Sequence, residues 1–266
     1  MTNIRNDTTL AGRAAGFAYA VVAYAVGMAA LGWLVATLGG LVPWGVGPLE
    51  TRAPGAALAV NAGLVVLFGV QHSAMARRRF KAWWTQFISP ALERSTYVLA
   101  AGLALGLVLW LWQPMPGGVW TVSGELARKV MWGVFVFGWL YLVAATFVTN
   151  HFDLFGLRQA WLHLRGQRYM PVRFTRSWMY RYSRHPMMAG ILVGLWAAPT
   201  MRVDHFVFAI GFSAYVAVGI AFEERGLLRH FGETYRVYRN EVGLFLPRLR
   251  SAGARSSRGE VADSTR

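Results

Sequence analysis

The chain contains no cysteine, which excludes disulfide scaffolds, Cys-ligated zinc, iron–sulfur clusters and thiol nucleophiles. Charge is also scarce. Asp, Glu, Lys and Arg make up 15% of the 266 residues, against about 25% in soluble domains. Acidic residues are rarest, 12 against 27 basic ones, for a formal net charge of +15. The remainder is apolar: 55% of the chain is hydrophobic, with 12 Trp, 16 Phe and 10 Tyr. Such an aromatic load is typical of chains at lipid–water boundaries. A soluble globular domain and a disordered chain are both excluded.

The few charges fall in clusters. No Asp, Glu, Lys or Arg occurs from Ala14 to Leu49, Ala53 to Ala76, Ser95 to Gly124, or Val130 to Phe152. Each gap exceeds the about 20 residues that a helix needs to cross a bilayer. Two shorter gaps, His185 to Met201 and His205 to Phe222, are separated only by Arg202-Val203-Asp204 and predict a tight helical hairpin. Helices are expected near 14–38, 55–76, 95–113, 128–149, 187–200 and 205–223. The fold class is therefore an all-α integral membrane protein, a bundle of five to six transmembrane helices. Trp44, Trp110, Trp112 and Trp120 gather near one set of helix ends, as an aromatic belt would. Residues 1–250 read as one membrane domain and 251–266 as a disordered polar tail. No cleavable signal peptide and no transporter-type repeat is evident.

The basic residues then set orientation. Of the 27 Lys and Arg, 23 lie in the N-terminus, the 77–94 loop, the 150–185 segment and the chain after Glu224. Arg52, Arg128, Lys129 and Arg202 make up the other side. The positive-inside rule puts both termini in the cytoplasm, which accounts for the basic charge without nucleic acid as a partner.

Polar and ionisable groups are costly at membrane depth, so each is a functional candidate. They gather at the cytoplasmic helix ends: Gln71-His72-Ser73, Asn150-His151-Phe152-Asp153, the stretch Tyr180 to Pro186, Glu223-Glu224-Arg225, and Tyr235 to Arg239. Among the six His there is no HxxxH or HExxH pair, and no Glu-x-x-His occurs, so no metal is expected. Glu223 and Glu224 point about 100° apart on a helix. GxGxxG, GxxxxGK[ST] and GxSxG are absent too, which argues against dinucleotide, phosphate-loop and acyl-hydrolase folds.

The ordered set Tyr180-x-Tyr182-x-Arg184-His185-Pro186-x-x-x-Gly190, a hairpin, Glu223-Glu224, Tyr235-x-x-Tyr238 and Pro247 resembles the isoprenylcysteine carboxyl methyltransferase superfamily. That group includes phospholipid methyltransferases and NnrU-like proteins. Gln71-His72-Ser73-x-Met75-Ala76-Arg77, Glu93 to Tyr97 and Asn150 to Gln159 are most similar to its bacterial methanethiol S-methyltransferase branch. The resemblance covers roughly residues 60–248. It implies S-adenosylmethionine as cofactor, a small thiol (methanethiol) as acceptor and dimethyl sulfide as product, in the bacterial cytoplasmic membrane.

Carried over residue by residue, the resemblance implies a cytoplasmic-side cofactor pocket in the C-terminal half, about 150–248. Tyr182 and His185 would contact the cofactor, Glu223 and Glu224 would accept its hydrogen bonds, and Arg184 and Arg239 would meet its carboxylate. Tyr180 and Tyr235 would face the sulfonium. Pro186 would open a helix, where its missing N–H is harmless. For the thiol, His151 is the expected proton acceptor with Asp153 orienting it, and Arg158 and His72 are further catalytic candidates. Ser177-Trp178-Met179 and Met188 stand where the superfamily often has glycine and an aromatic residue, which weakens the case for a bulky prenyl or lipid acceptor. Three alternatives stay open: a lipid-amine or prenylcysteine methyltransferase, an NADPH-dependent sterol-type reductase, and a non-enzymatic channel or transporter. The sequence does not fix the oligomeric state.

Overall fold

The computed structural model describes residues 9–47, 53–171 and 178–248; the expected tail, 251–266, lies outside them. α1 (Leu10–Leu38) opens where the Gly12 N–H donates to the Thr9 hydroxyl at 3.2 Å, satisfying one orphan donor of the helix start. α2 (Pro54–Met75) carries Pro in its first position. There follow α3 (Arg78–Trp84), α4 (Glu93–Leu111), β1 (Gly118–Thr121), α5 (Glu125–Thr149), the short α6 (His151–Leu154) and α7 (Leu157–Leu164). α8 (Pro186–Trp196), β2 (Thr200–Arg202), α9 (Val203–Phe231) and α10 (Glu233–Glu241) complete the order. α1, α2, α4, α5 and α9 are long and apolar enough to cross a membrane. The chain is an integral membrane protein.

Three features depart from the sequence-based expectation. The 187–200 helix ends at Trp196, because Pro199 bars further helix. Its 11 residues rise only about 16 Å, half a membrane. The chain then turns extended, and β2 pairs antiparallel with β1, two strands the apolar pattern did not signal. The last long helix does not stop near 223. It runs 29 residues in all, Val203–Phe231, and Gly232, whose φ of 54° suits glycine, breaks the helix before α10. Glu223 and Glu224 therefore lie within α9, where charge marks the edge of the lipid rather than the end of the helix. Trp112, assigned to an aromatic belt, is 0% exposed.

The helices close into a ring. α1 packs on α4, α4 on α2, α2 on α9, α9 on α8 and α8 on α5, while α7 returns the chain to α1 and α4. α5 and α8 approach most closely at Gly138 and Gly190: a Cβ on Gly190 would meet the Leu142 nitrogen at 2.7 Å, and one on Gly138 the Gly194 nitrogen at 2.7 Å. Small residues of this kind let membrane helices touch backbone to backbone. One half of the ring is filled by an apolar core including Leu34, Leu109, Trp112, Phe135, Leu195 and Phe208. Within that half the 0% exposed Asn61 donates to the Gln113 carbonyl at 2.9 Å and accepts from its N–H at 2.7 Å, so neither is left unsatisfied. The polar residues singled out from the sequence lie in the other half.

Candidate active site

The chain before α8 is fixed by the chain after α10. Ser183 forms an isolated parallel bridge with Gly243, and the Arg184 and His185 N–H groups donate to the Gly243 and Leu244 carbonyls at 3.0 and 3.2 Å. This zipper aims two basic side chains at α9. Arg184 Nη1 donates to the carbonyls of Arg239 (2.6 Å) and Val242 (3.1 Å), capping the end of α10 as a cation does well. Its Nε lies 2.9 Å from Glu224 Oε1; the Nε–H is not aligned on that oxygen, so the contact is an ion pair without an aligned hydrogen bond. Arg239 Nε reaches Glu224 Oε2 at 3.3 Å. His185 Nε2 stands 3.4 Å from Glu224 Oε1, and its Nδ1 3.6 Å from Glu223 Oε2. Glu224 is 8% exposed. One nearly buried carboxylate on α9 thus faces three basic groups, two from the entry to α8 and one from α10. Arg184 and Arg239, expected on a cofactor carboxylate, both lie within ion-pair distance of Glu224.

Beside this cluster lies a cavity of about 530 Å³ lined by Tyr180, Arg181, Tyr182, Tyr238, Glu241, Val242, Pro247 and Arg248. Tyr180 sits in a 3-10 turn, Trp178–Arg181. The Thr149 hydroxyl spends its proton on the Ala145 carbonyl at 2.9 Å, so Tyr180 donates to Thr149 Oγ1, also at 2.9 Å. Burial pushes the Tyr180 phenol up, which keeps it a donor. Tyr238 donates to the Tyr180 carbonyl at 2.7 Å. Tyr235 is absent from the cavity wall: it is 3% exposed and packs with Tyr238, Val242, Leu227 and Leu228. Burial, then the Glu224 charge, pushes its phenol up to about 12. Pro186 opens α8 in its first turn, as expected.

A second polar group closes the α5–α6–α7 corner. Asn150 takes φ 82° and its side chain accepts from the Asp153 N–H at 3.2 Å, ending α5 and starting α6. His151 is 7% exposed. The Thr146 hydroxyl donates to the Val143 carbonyl at 2.6 Å, so His151 Nδ1, 2.8 Å away, donates to Thr146. Nε2 then accepts from Tyr24 at 2.8 Å. Burial holds this imidazole below its ordinary 6.5, hence neutral, with its single lone pair engaged. Asp153 is not its partner: Oδ1 binds Arg158 at 2.8 Å and Oδ2 accepts from Tyr169 at 3.2 Å. The expected His151–Asp153 pair is replaced by two separate ones. Asp153 instead borders a cleft of about 440 Å³ with Lys81, Glu93, Arg94 and Tyr169. His72 lies apart from both, its Nε2 2.6 Å from the Tyr97 hydroxyl.

Sequence reasoning had assigned no role to Tyr24, Thr146 and Thr149. The signal was available, since all three are hydroxyls inside charge-free runs. Among the described residues no three His, Asp or Glu side chains are grouped to hold a metal ion.

Residues 61–244 match the family described as NnrU protein. The chain is 44% identical over 230 residues to the methanethiol S-methyltransferase of Mycobacterium tuberculosis, covering 86% of this chain and 94% of that one. It is 42% identical over 236 residues to methanethiol S-methyltransferase 1 of Bradyrhizobium diazoefficiens, covering 88% and 83%. A more distant similarity, 30% over 187 residues, covers 67% of this chain and 71% of Nurim from Homo sapiens. No solved structure matches. On the family match and these identities, the chain belongs to the NnrU family, in its methanethiol S-methyltransferase branch.

Proposed function

We propose that this protein transfers a methyl group from S-adenosylmethionine to methanethiol, giving dimethyl sulfide and S-adenosylhomocysteine. The observation that carries this reading is the 44% identity, over 94% of its length, to a methanethiol S-methyltransferase. The donor set of the Tyr180–Arg248 cavity fits the cofactor. Its volume of about 530 Å³ falls in the range of about 300–1,000 Å³ of small-molecule sites. When bound, S-adenosylmethionine supplies a methyl group activated by a sulfonium cation, beside a carboxylate and an amine. Tyr180, Tyr182 and Tyr238 line the cavity, and an aromatic ring would attract the sulfonium cation by about 0.5–2 kcal/mol. Arg181 and Arg248 would hold the cofactor carboxylate with charge-assisted bonds, and Glu241 would hold its amine.

The remaining polar residues hold this cavity in shape. Arg184, Glu224 and Arg239 lock α8, α9 and α10 together, and His185 stands between Glu223 and Glu224 beside them. Tyr235 braces α10 from behind. His151 braces the α6–α7 corner against α1 through Tyr24, while Asp153 ties Arg158 and Tyr169 together beside it; all three act as positioning residues. The uneven share of Lys and Arg, 23 against 4, supports a cytoplasmic face for the site and both termini, in the bacterial cytoplasmic membrane.

The test is headspace gas chromatography on purified protein in detergent, supplied with methanethiol and S-adenosylmethionine. Wild type is expected to release dimethyl sulfide, and an Arg184→Ala/His185→Ala double variant to stay at background. Cofactor binding without dimethyl sulfide overturns the acceptor and directs attention to lipid or prenyl substrates.

A further inference from the structure

We infer that Arg77 and Arg225 form a clasp for the headgroup of an anionic phospholipid, on the end of the ring that carries the polar cluster. The clasp is independent of methyl transfer. Arg77 is the first charged residue after the charge-free run that ends at Ala76, and Phe222 is the last uncharged residue of the run in α9. The Arg77 guanidinium lies over the Phe222 ring, 4.7 Å from its centroid. Two apolar runs from neighbouring helices therefore end side by side, and the edge of the hydrocarbon passes between the ring and the charge. Arg225, one helical turn beyond Phe222, sets a second guanidinium 5.9 Å from the same centroid.

α3, which begins directly after Arg77, marks the same boundary. Its Trp83 ring lies 5.4 Å from both Phe80 and Phe87 and 5.7 Å from Trp84. Trp83 and Phe87 are nevertheless 49% and 66% exposed. Exposed aromatic rings on a short helix that also carries Arg78, Arg79 and Lys81 belong at a lipid–water interface.

The charges select the ligand. Two like charges drawn to one ring repel each other, and neither guanidinium has a hydrogen-bond or ion-pair partner among the described residues. Basic groups close by in sequence do have one: Lys81 pairs with Glu93 at 3.3 Å, and Arg94 donates to the Leu154 carbonyl at 2.8 Å. The two carboxylates that precede Arg225 face other cations, Glu223 toward His185 and Glu224 toward Arg184, His185 and Arg239. An anion is the missing component, and the guanidinium fork matches phosphate oxygens. Phe222, 45% exposed, adds an apolar seat beneath it. A phosphodiester carrying acyl chains fits both features, whereas a soluble anion fits only the first. A zwitterionic headgroup brings its own cation to a place that already holds two. Because Arg77 follows α2 and Arg225 lies on α9, one headgroup held by both ties two adjacent helices of the ring.

Native mass spectrometry of the full chain in uncharged detergent, with phosphatidylglycerol or phosphatidylcholine added, reads the affinity for the first bound lipid. Wild type is expected to prefer phosphatidylglycerol. Arg77→Gln/Arg225→Gln should weaken that lipid about 30-fold, the loss of two interfacial basic residues at about fivefold each, and leave phosphatidylcholine unchanged. Each single variant should lose about fivefold, so the test stands even where the double variant does not fold. Arg78→Gln/Arg79→Gln removes the same charge from the adjacent turn and should cost about threefold or less, a diffuse charge effect. Phosphatidylglycerol should also raise the melting temperature of wild type and not that of Arg77→Gln/Arg225→Gln. Equal binding of both lipids by wild type, or equal losses in the two double variants, overturns the clasp. Full competition by inorganic phosphate at the lipid concentration overturns it as well, since the ligand would then be a free anion.

Discussion

Glu224 has two carboxylate oxygens and three basic neighbours, Arg184 and His185 from the entry to α8 and Arg239 from α10. Such a group matters less for the strength of its pairs than for what its loss leaves behind. Removing one partner of a buried ion pair strands the others in a poorly solvated place and costs about 3–5 kcal/mol. Glu224→Ala is therefore expected to lower the melting temperature in detergent sharply and to abolish cofactor binding. Glu223 is the internal control: its side chain is 51% exposed, and Glu223→Ala should stay within about 0.5 kcal/mol of wild type. Equal melting temperatures for the two variants would refute the locking role assigned to Glu224. The adjacent carboxylates look interchangeable in sequence and differ in what surrounds them.

At the level of the element, α8 shows how a half-length helix is held in a membrane protein. Its 11 residues cannot span the bilayer, so it depends on α5, and that contact depends on two facing glycines. Gly190→Leu forces a branched side chain into the Leu142 backbone, where even a Cβ would stand 2.7 Å away. The expected result is loss of folded, detergent-stable protein, whereas Gly219→Ala, with open space around it, should express normally. Most long helices could be read from the sequence, because charge-free runs and helix-breaking Pro and Gly state the same boundaries twice. α8, β2 and the far end of α9 could not be read this way. Their limits come from Pro199, from strand pairing with residues about 80 positions earlier, and from Gly232, none of which alters hydropathy. The candidate site divides along the same line. Its residue types were evident from polarity at the helix ends. Their pairing was not, because the partners of His151 and Asp153, Tyr24 and Tyr169, are set by the tertiary fold.

Across the whole molecule, the ring has two unlike ends, and its orientation can be measured directly. Because the chain has no native cysteine, any cysteine introduced is the sole thiol. Gln86 lies beyond α3 on the end that carries the polar cluster, and Ser123 lies between β1 and α5 on the other; both are exposed. In intact cells a membrane-impermeant maleimide is expected to label Ser123→Cys and to leave Gln86→Cys unlabelled until the cells are opened. The reverse pattern would place the catalytic face outside.

The apolar half of the ring has an electrical consequence as well. Trp112, Leu195 and Phe208, each no more than 1% exposed, stand between the polar end and the opposite face, and Asn61 and Gln113 bond to each other rather than opening a hydrophilic path. Moving one charge across a membrane at 100 mV is worth about 2.3 kcal/mol, and a leak would drain that store continuously. The plug lets the protein keep ionised side chains at one end of the ring while the membrane around it stays insulating.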